Sequence, residues 1–428
     1  MKILKVIHGY PLLYNAGSEV YSQSICEELS KDHEITVFTR EENQYEEDFA
    51  IRSEKRHDNL DVFYVNKRID KDNYRNKNID AKFLSILKEN DFDVAHIGHL
   101  NHLSTGIIDE LNRQKIPIVF TLHDFWLMCP RGQFLQRNYE NSEFYQVCNK
   151  QEDNKCSESC YNHYFSGRES DKKRDVEYWA SWINTRMEET RAIINKVDLF
   201  IAPSKYLRDR FVNDFNIPES KIIYLDYGFP THYLKPKEKS NSENFSFGYI
   251  GTHIPAKGVD LLINAFSKIE EKSTLKIWGR DNGQSTASLK EVAAESKNEI
   301  QFFGGYNNEN ISSEVFDNID CIVVPSIWGE NSPLVIHEAQ ACNIPVITAD
   351  FGGMKEYVEH MKNGLLFKHR DFKDLQKKMI YAIQNPEVLS DMGKVGYLHN
   401  AEGEVPNIEK HCLELTELYN QVIKITNE

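Results

Sequence analysis

Twice along this chain, short runs rich in β-branched and aromatic residues alternate with amphipathic helical patterns. That rhythm limits the fold more than any other feature. In the first half, residues 3–7, 34–39, 62–65, 94–97, 118–122 and 199–202 read as strands, with helical patterns at 19–29, 81–87 and 105–111 between them. Strand alternating with helix builds a parallel sheet covered on both faces. A polar stretch over 231–244, containing Pro236, breaks the pattern and reads as a linker. The alternation then restarts, with strands at 245–250, 274–278, 300–303, 321–324, 345–348 and 365–367 and helical patterns at 259–267, 289–294, 334–341 and 375–383. The expectation is an α/β protein of two doubly wound domains, 1–230 and 245–404, facing an interdomain cleft. Ligands of such sheets bind outside the carboxyl ends of the strands. A last helical stretch, within 405–428, follows Pro406; its apolar spacing leaves its packing partner open, the first domain being one choice.

At 428 residues the chain exceeds one ordinary core, in keeping with two domains. Its 66 acidic and 51 basic side chains, a net charge of −15, are the opposite of the basic face that nucleic acid needs, so no nucleic-acid partner is expected. A local basic patch for a phosphate or a membrane surface stays compatible with that total. No apolar run reaches the roughly 18 residues of a membrane span. The opening Met-Lys-Ile-Leu-Lys-Val-Ile-His is too short and too interrupted by lysine for a secretory leader, and reads as a buried strand. By elimination the expected location is cytoplasmic, with peripheral contact at the inner membrane face as a further option.

Residues 125–173 follow neither period, and an insertion of that length in an α/β domain is functional or disordered. Cys129, Cys148, Cys156 and Cys160 lie there, separated by eighteen, seven and three residues, whereas Cys26, Cys321, Cys342 and Cys412 stand singly in apolar patterns as small hydrophobes. In a reducing compartment the cluster points to metal or redox chemistry. Four thiolates suit a closed structural zinc site, with His163 able to replace one; four reduced thiols in a loop are the other reading. A bound metal would order a segment too polar to fold alone. Further on, Tyr178, Trp179 and Trp182 stand beside Lys172, Lys173, Arg174 and Arg186. That stretch reads either as a contact for an acceptor or a membrane surface, or as an amphipathic helix packed on its own domain.

The segment with most chemistry is Trp328-Gly-Glu-Asn-Ser-Pro-Leu-Val-Ile-His-Glu338. It follows a strand ending at Val324 and enters a helical pattern. Ser332 reads as the N-cap and Pro333 as the first helical residue. The amides of Leu334 and Val335 are then available at a helix N-terminus, where donors and dipole together favour a diphosphate. Glu330 and Asn331 lie in the loop and Glu338 in the helix. Two carboxylates beside a diphosphate make sense only if both accept hydrogen bonds from hydroxyls, one from a sugar and the other from a ribose.

Glu330 and Glu338 with seven residues between, followed by Ile344-Pro-Val-Ile-Thr348, Gly352-Gly-Met-Lys-Glu356 and Asn363-Gly-Leu-Leu-Phe367, resemble the donor-binding half of family 4 glycosyltransferases. His8-Gly-Tyr-Pro11 and Ala16-Gly-Ser-Glu19 agree with the other half. The resemblance covers nearly the whole chain apart from the insertion. It implies the GT-B architecture of two Rossmann-like domains, a nucleotide diphosphate sugar (uridine or guanosine) as donor, a glycan, lipid-linked or other hydroxyl acceptor, and transfer with retention at the anomeric carbon. It implies no catalytic metal, because the diphosphate charge falls to Lys257 and the helix end.

Lys257, in the loop Gly251-Thr-His-Ile-Pro-Ala-Lys-Gly258, matches the family's lysine, but Thr252 stands where the family carries an arginine. Arg280, after the next strand, is the candidate replacement. Gly17 lets backbone approach a phosphate at a helix start, or simply turns the chain. The family places a histidine near the donor sugar where His123 stands. Two other functions compete: a GT-B epimerase acting on a nucleotide sugar without an acceptor, and an inactive nucleotide-sugar-binding homologue, suggested by Thr252.

Overall fold

The computed structural model describes residues 1–68, 74–137, 145–237 and 244–427, so part of the linker 231–244 and of the insertion lies outside the described residues. The chain divides into two compact units, Met1–Gly228 with Ile408–Glu428, and Phe229–Asn407.

The first unit is built on β1 (Lys2–Val6), β2 (Glu34–Glu41), β3 (Ile51–His57), β4 (Leu60–Asn66), β5 (Val94–Ile97) and β6 (Ile118–Thr121), completed after the insertion by β9 (Leu199–Ala202) and β10 (Ile222–Tyr224). The insertion adds a small antiparallel ribbon, β7 (Leu135–Arg137) with β8 (Tyr145–Val147). The sheet order is β10-β9-β6-β5-β1-β2-β4-β3, parallel except for the edge hairpin of β3 on β4. Strands β5, β6 and β9 are near-continuous apolar runs because helices cover both faces of a parallel sheet. From β1 the chain builds outward through β2 and β4, then returns to the other side of β1 and builds outward through β5 and β6. The direction therefore reverses between β1 and β5.

The closing helix Ile408–Asn427 belongs to this unit. Ile408, Cys412, Leu415, Tyr419 and Val422 recur three or four residues apart and are all buried. The helix lies against the helix Gly17–Leu29. Each such apolar side chain contributes about 1.5–3 kcal/mol. Its polar contacts are specific too: His411 meets the Tyr21 hydroxyl at 2.7 Å, and Tyr419 meets His96 at 2.7 Å.

The second unit holds β11 (Phe245–Ile250), β12 (Ser273–Trp278), β13 (Glu299–Gly304), β14 (Cys321–Val324), β15 (Val346–Ala349) and β16 (Gly364–Phe367), all parallel, in the order β13-β12-β11-β14-β15-β16. Here the direction reverses between β11 and β14. Each unit is thus a Rossmann-like α/β domain whose reversal opens a crevice at the carboxyl ends of two adjacent strands. Among the described residues no helix is long and apolar enough to cross a membrane.

Candidate active site

In the second unit the crevice is walled by the loop after β11 and the loop after β14. Two backbone devices bring these loops together. The Ile327 amide donates to the Ala256 carbonyl at 3.0 Å. Gly258 has φ +67°, and a Cβ there would stand 2.1 Å from the Pro325 carbonyl oxygen, so both its conformation and its neighbour require glycine. A third loop presses on the second: the Gly353 amide donates to the Glu330 carbonyl at 2.8 Å, and a Cβ on Gly353 would lie 1.5 Å from the Asn331 carbonyl oxygen.

Glu330 is held where these loops meet, 5% exposed. Its Oε1 accepts three hydrogen bonds, from Lys257 Nζ at 2.7 Å, Ser326 Oγ at 2.6 Å and Trp328 Nε1 at 2.9 Å. The Lys257 ammonium also lies 5.7 Å from the Trp328 ring centroid. With Oε1 saturated, Oε2 accepts no hydrogen bond among the described residues and is the oxygen left for an incoming hydroxyl. Lys257 was expected to serve a diphosphate; the structure pairs it with Glu330.

The helix that follows runs Leu334–Ala341. Its start differs from expectation. Pro333, not Ser332, occupies the capping position, with an extended ψ of 115°, and no side chain caps the terminus. A proline ring fixes φ near −65° whether the residue is the cap or the first helical residue, so sequence alone does not separate the two. The consequence strengthens the site. Without a capping oxygen, the first-turn amides of Leu334 and Val335 make no backbone hydrogen bond among the described residues and are open to an anion. Asn331 and Ser332 are buried in the loop before them. His337 Nδ1 donates to the Pro333 carbonyl at 3.2 Å and pins the first turn. Glu338, half-buried one turn on, has its carboxyl pushed up to about 7 by burial, with His337 pulling weakly the other way.

Thr252 is half-buried, and its carbonyl accepts from the Ile254 amide at 2.8 Å and the Tyr249 hydroxyl at 3.3 Å. Arg280 is exposed just beyond β12 and makes no ion pair among the described residues. Ser326 and Trp328, which orient Glu330, were not singled out from sequence, although both lie within four residues of it.

The crevice of the first unit is lined by histidines. His8 follows β1, His99 follows β5 and His123 follows β6. His8 Nε2 is 3.3 Å from Glu19, His99 Nε2 is 3.3 Å from Asp124, and the His8 and His99 rings meet at a tilt of 51° with centroids 4.4 Å apart. His123 Nδ1 is hydrogen-bonded to the Tyr227 hydroxyl at 2.7 Å, with the two rings stacked. Burial, then Lys5, then His99 hold the His123 imidazole well below its ordinary pKa, so it is neutral at pH 7. Gly17 begins the helix Gly17–Leu29, exposed and without a side-chain cap. Beneath this crevice lies Lys5, a residue the sequence reading passed over. It is 1% exposed, its ammonium has no hydrogen-bond partner among the described residues, and burial lowers its pKa to about 8.

In the insertion the four cysteines are all buried and reduced. Burial raises the thiol pKa of Cys148, Cys156 and Cys160, that of Cys156 to about 12, and each of the three feels its neighbours in the cluster. Cys148 Sγ donates to the Lys150 carbonyl at 3.1 Å. The fold gathers the four thiols, but among the described residues it arranges no group of three or more metal-binding side chains to hold an ion. The aromatic and basic stretch is part of the helix Lys172–Ala192, and it does not form one surface. Trp179 and Arg186 are buried, with Arg186 donating to the Trp126 carbonyl, while Tyr178 is exposed. The helix packs on its own domain.

Fold and site together define a two-domain GT-B protein whose second sheet presents a carboxylate, an ammonium and an open helix end at its reversal point. The chain belongs to glycosyltransferase family 4: the family described as Glycosyltransferase Family 4 matches residues 16–232, and that described as Glycosyl transferases group 1 matches residues 232–399. It is 25% identical over 230 residues to the N,N'-diacetylbacillosaminyl-diphospho-undecaprenol alpha-1,3-N-acetylgalactosaminyltransferase of Campylobacter jejuni, covering 50% of this chain and 58% of that protein. The chain spans little more than half the length of the first curated relatives it matches. In fold it is similar to the sucrose-phosphate synthase of Thermosynechococcus elongatus, with a TM-score of 0.71 at 16% identity over 99% of both chains. It is also similar to Anabaena HepE solved with UDP-glucose, with a TM-score of 0.62 at 17% identity over 100% of this chain and 99% of that one.

Proposed function

We propose that the chain transfers a sugar from a nucleoside diphosphate sugar to an acceptor hydroxyl, with retention, in the synthesis of a polysaccharide, glycolipid or other glycoconjugate. One observation carries the reading: at the β11/β14 reversal, the Lys257 ammonium on the loop after β11 meets Glu330 on the loop after β14, with one carboxylate oxygen open, and the uncapped amides of Leu334 and Val335 follow on that same loop's helix. In this assignment Glu330 Oε2 accepts from a donor sugar hydroxyl. Glu338 accepts from a ribose hydroxyl, and the amides hold the diphosphate. Lys257 bridges carboxylate and leaving group. His123, neutral, serves the transferred sugar, and Gly17 lets backbone approach the donor. Arg280 supplies the cation that Thr252 does not. Departure of the diphosphate leaves an oxocarbenium-like species; the leaving oxygen helps deprotonate the acceptor on the same face, so no protein nucleophile is required. The protein orients the reactants and stabilises developing charge.

A thermal-shift screen of UDP- and GDP-sugars identifies the donor, since a ligand binding only the folded state raises apparent stability by mass action. Incubation with that donor alone separates transfer from epimerisation: an epimer formed without acceptor sinks the transferase reading. A structural zinc on Cys129, Cys148, Cys156 and Cys160 is a separate proposal, decided by elemental analysis of protein purified without chelator. Less than about half an equivalent counts against a closed four-thiolate site.

A further inference from the structure

His123 reaches the crevice of the first domain already held from within. Its Nδ1 lies 2.7 Å from the Tyr227 hydroxyl, and the two rings are nearly parallel with centroids 5.7 Å apart. Tyr227 stands just beyond β10 and is 5% exposed. Its backbone amide donates to Asp226 Oδ1 at 2.8 Å, which fixes the tyrosine in turn.

The Nε2 edge has a different neighbour. Gly98, just after β5, carries no side chain, and a Cβ there would stand 3.4 Å from His123 Nε2 and 3.3 Å from Lys5 Nζ. Both nitrogens therefore border the space that this glycine leaves. The ammonium donates to no acceptor among the described residues, and an unsatisfied buried group of that kind calls for an explanation. A cation bordering the same gap as Nε2 favours a lone pair on that nitrogen over the positive end of an N–H dipole. The proton of the neutral ring then sits on Nδ1 and is donated to Tyr227.

The tyrosine is tied in its turn to the end of the chain. The Tyr21 ring packs on Tyr227 with centroids 4.5 Å apart and meets His123 edge-on at 5.6 Å. Its hydroxyl lies 2.7 Å from His411 Nε2 on the helix Ile408–Asn427. Gly228 permits that approach, since a Cβ there would lie 2.4 Å from the His411 Cβ. A histidine that only fills a core is satisfied by one partner. This one is fixed at Nδ1, bounded by two tyrosine rings and set beside an ammonium that pairs with nothing among the described residues.

We propose that Tyr227 is a positioning residue for His123. It accepts the hydrogen bond from Nδ1–H and sets the direction of the ring. Lys5 enforces that tautomer, and His411, through Tyr21, brings the closing helix into the same chain. The consequence for transfer rests on the role given above to His123; the tautomer does not.

The test uses the full chain labelled with ¹⁵N-histidine, the His123 signals being assigned by their loss in His123→Ala. Without donor or acceptor at pH 7, Nε2 should be of the bare, pyridine type and Nδ1 of the protonated, pyrrole type. Tyr227→Phe and Lys5→Met should each move the pair toward the opposite tautomer. In turnover, Tyr227→Phe should lower kcat per folded molecule about tenfold, the scale of one buried hydrogen bond, with little change in KM. Tyr21→Phe and His411→Gln should act in the same direction with smaller losses. The proposal is overturned if wild-type Nε2 carries the proton, if Tyr227→Phe leaves the nitrogen spectrum as it was, or if its loss follows thermal stability alone. Wild-type kcat in both Tyr21→Phe and His411→Gln removes the closing helix from the chain. Failure of the His123 role is separate: His123→Ala would then transfer as wild type does, and the nitrogen spectrum alone upholds or overturns the tautomer.

Discussion

Two buried charges, one in each domain, are handled in opposite ways. Glu330 at the reversal of the second sheet has three donors on a single oxygen. Lys5, beneath the reversal of the first sheet, donates to no acceptor among the described residues, and the Tyr21 ring centroid lies 6.0 Å from its ammonium. A buried charge with saturated geometry is tolerated, whereas one left alone shifts its pKa toward neutrality instead. The lone lysine has moved to about 8. The comparison teaches where each domain stores its chemistry. The second holds a preformed, compensated carboxylate, and the first carries a buried ammonium, its pKa lowered by burial, beneath a crevice lined by histidines. A deletion at the first charge and a neutral replacement at the second should therefore act in opposite directions.

The largest effect is expected at the compensated charge. Glu330→Ala removes the hydroxyl acceptor and releases Lys257, Ser326 and Trp328 from their shared partner. Transfer should fall on the order of 100- to 1,000-fold, the scale of one lost preorganised electrostatic contact. The fold should survive, because Lys257 is a third exposed and can hydrate. Steady-state kinetics beside a circular dichroism spectrum decide it, and wild-type turnover would reject the assignment.

Lys5→Met should do the reverse and stabilise the protein. The shift from 10.5 to about 8 corresponds to about 3 kcal/mol. The folded pKa lies below the unfolded one, so the folded state binds fewer protons between those values. Wild-type stability should therefore rise with pH from about 8 to 10.5, and the penalty is fully present below 8. The methionine variant should gain stability in urea at pH 7 and lose that slope. A destabilised variant would mean that the ammonium is compensated after all.

That contrast also marks what could be read from the chain. The second domain was legible because its strands are all parallel and two inner ones, β14 and β15, are fully buried and read as short, largely apolar runs, and because the chemistry is packed into consecutive residues around Glu330. The first was less so. In β1 a lysine at position 5 amid apolar residues suggests a solvent-facing side chain, yet a strand covered on both faces has no such side. Strand β3, Ile-Arg-Ser-Glu-Lys-Arg-His, was missed because an edge strand carries charges that discourage further pairing. Histidines 8, 99 and 123 are far apart in sequence and meet only through the strand order. The helix cap at Pro333 was misplaced by one residue, since the proline satisfies either position.

The second domain has its own uncompensated group, and pH exposes it. Glu338 has no donors comparable to those of Glu330, and burial raises its carboxyl from 4.5 to about 7. If ribose hydroxyls donate to its ionised form, donor affinity should be constant above about pH 7 and fall below it, approaching tenfold per pH unit. Calorimetric titration of the donor from acid to mild alkali measures this. Glu338→Gln should bind more weakly and lose the dependence; a wild-type affinity flat across neutrality would detach Glu338 from the ribose.

The smallest effect probes how far compensation is shared. Trp328→Phe deletes one of the three donors to Glu330 Oε1 and leaves an aromatic ring near the Lys257 ammonium. The remaining bonds from Lys257 and Ser326 still satisfy that oxygen, so the loss is one hydrogen bond in a network, about 1 kcal/mol. That corresponds to about fivefold in transfer. If Trp328 only fixes the direction of Glu330, the decrease should appear in kcat more than in KM, because a misaimed Oε2 is least effective when charge develops on the sugar. A purely structural tryptophan would instead lower thermal stability and leave kcat per folded molecule unchanged. Phenylalanine removes the indole N–H together with part of the fused ring, so kcat per folded molecule, read beside the thermal shift, is what separates the two outcomes.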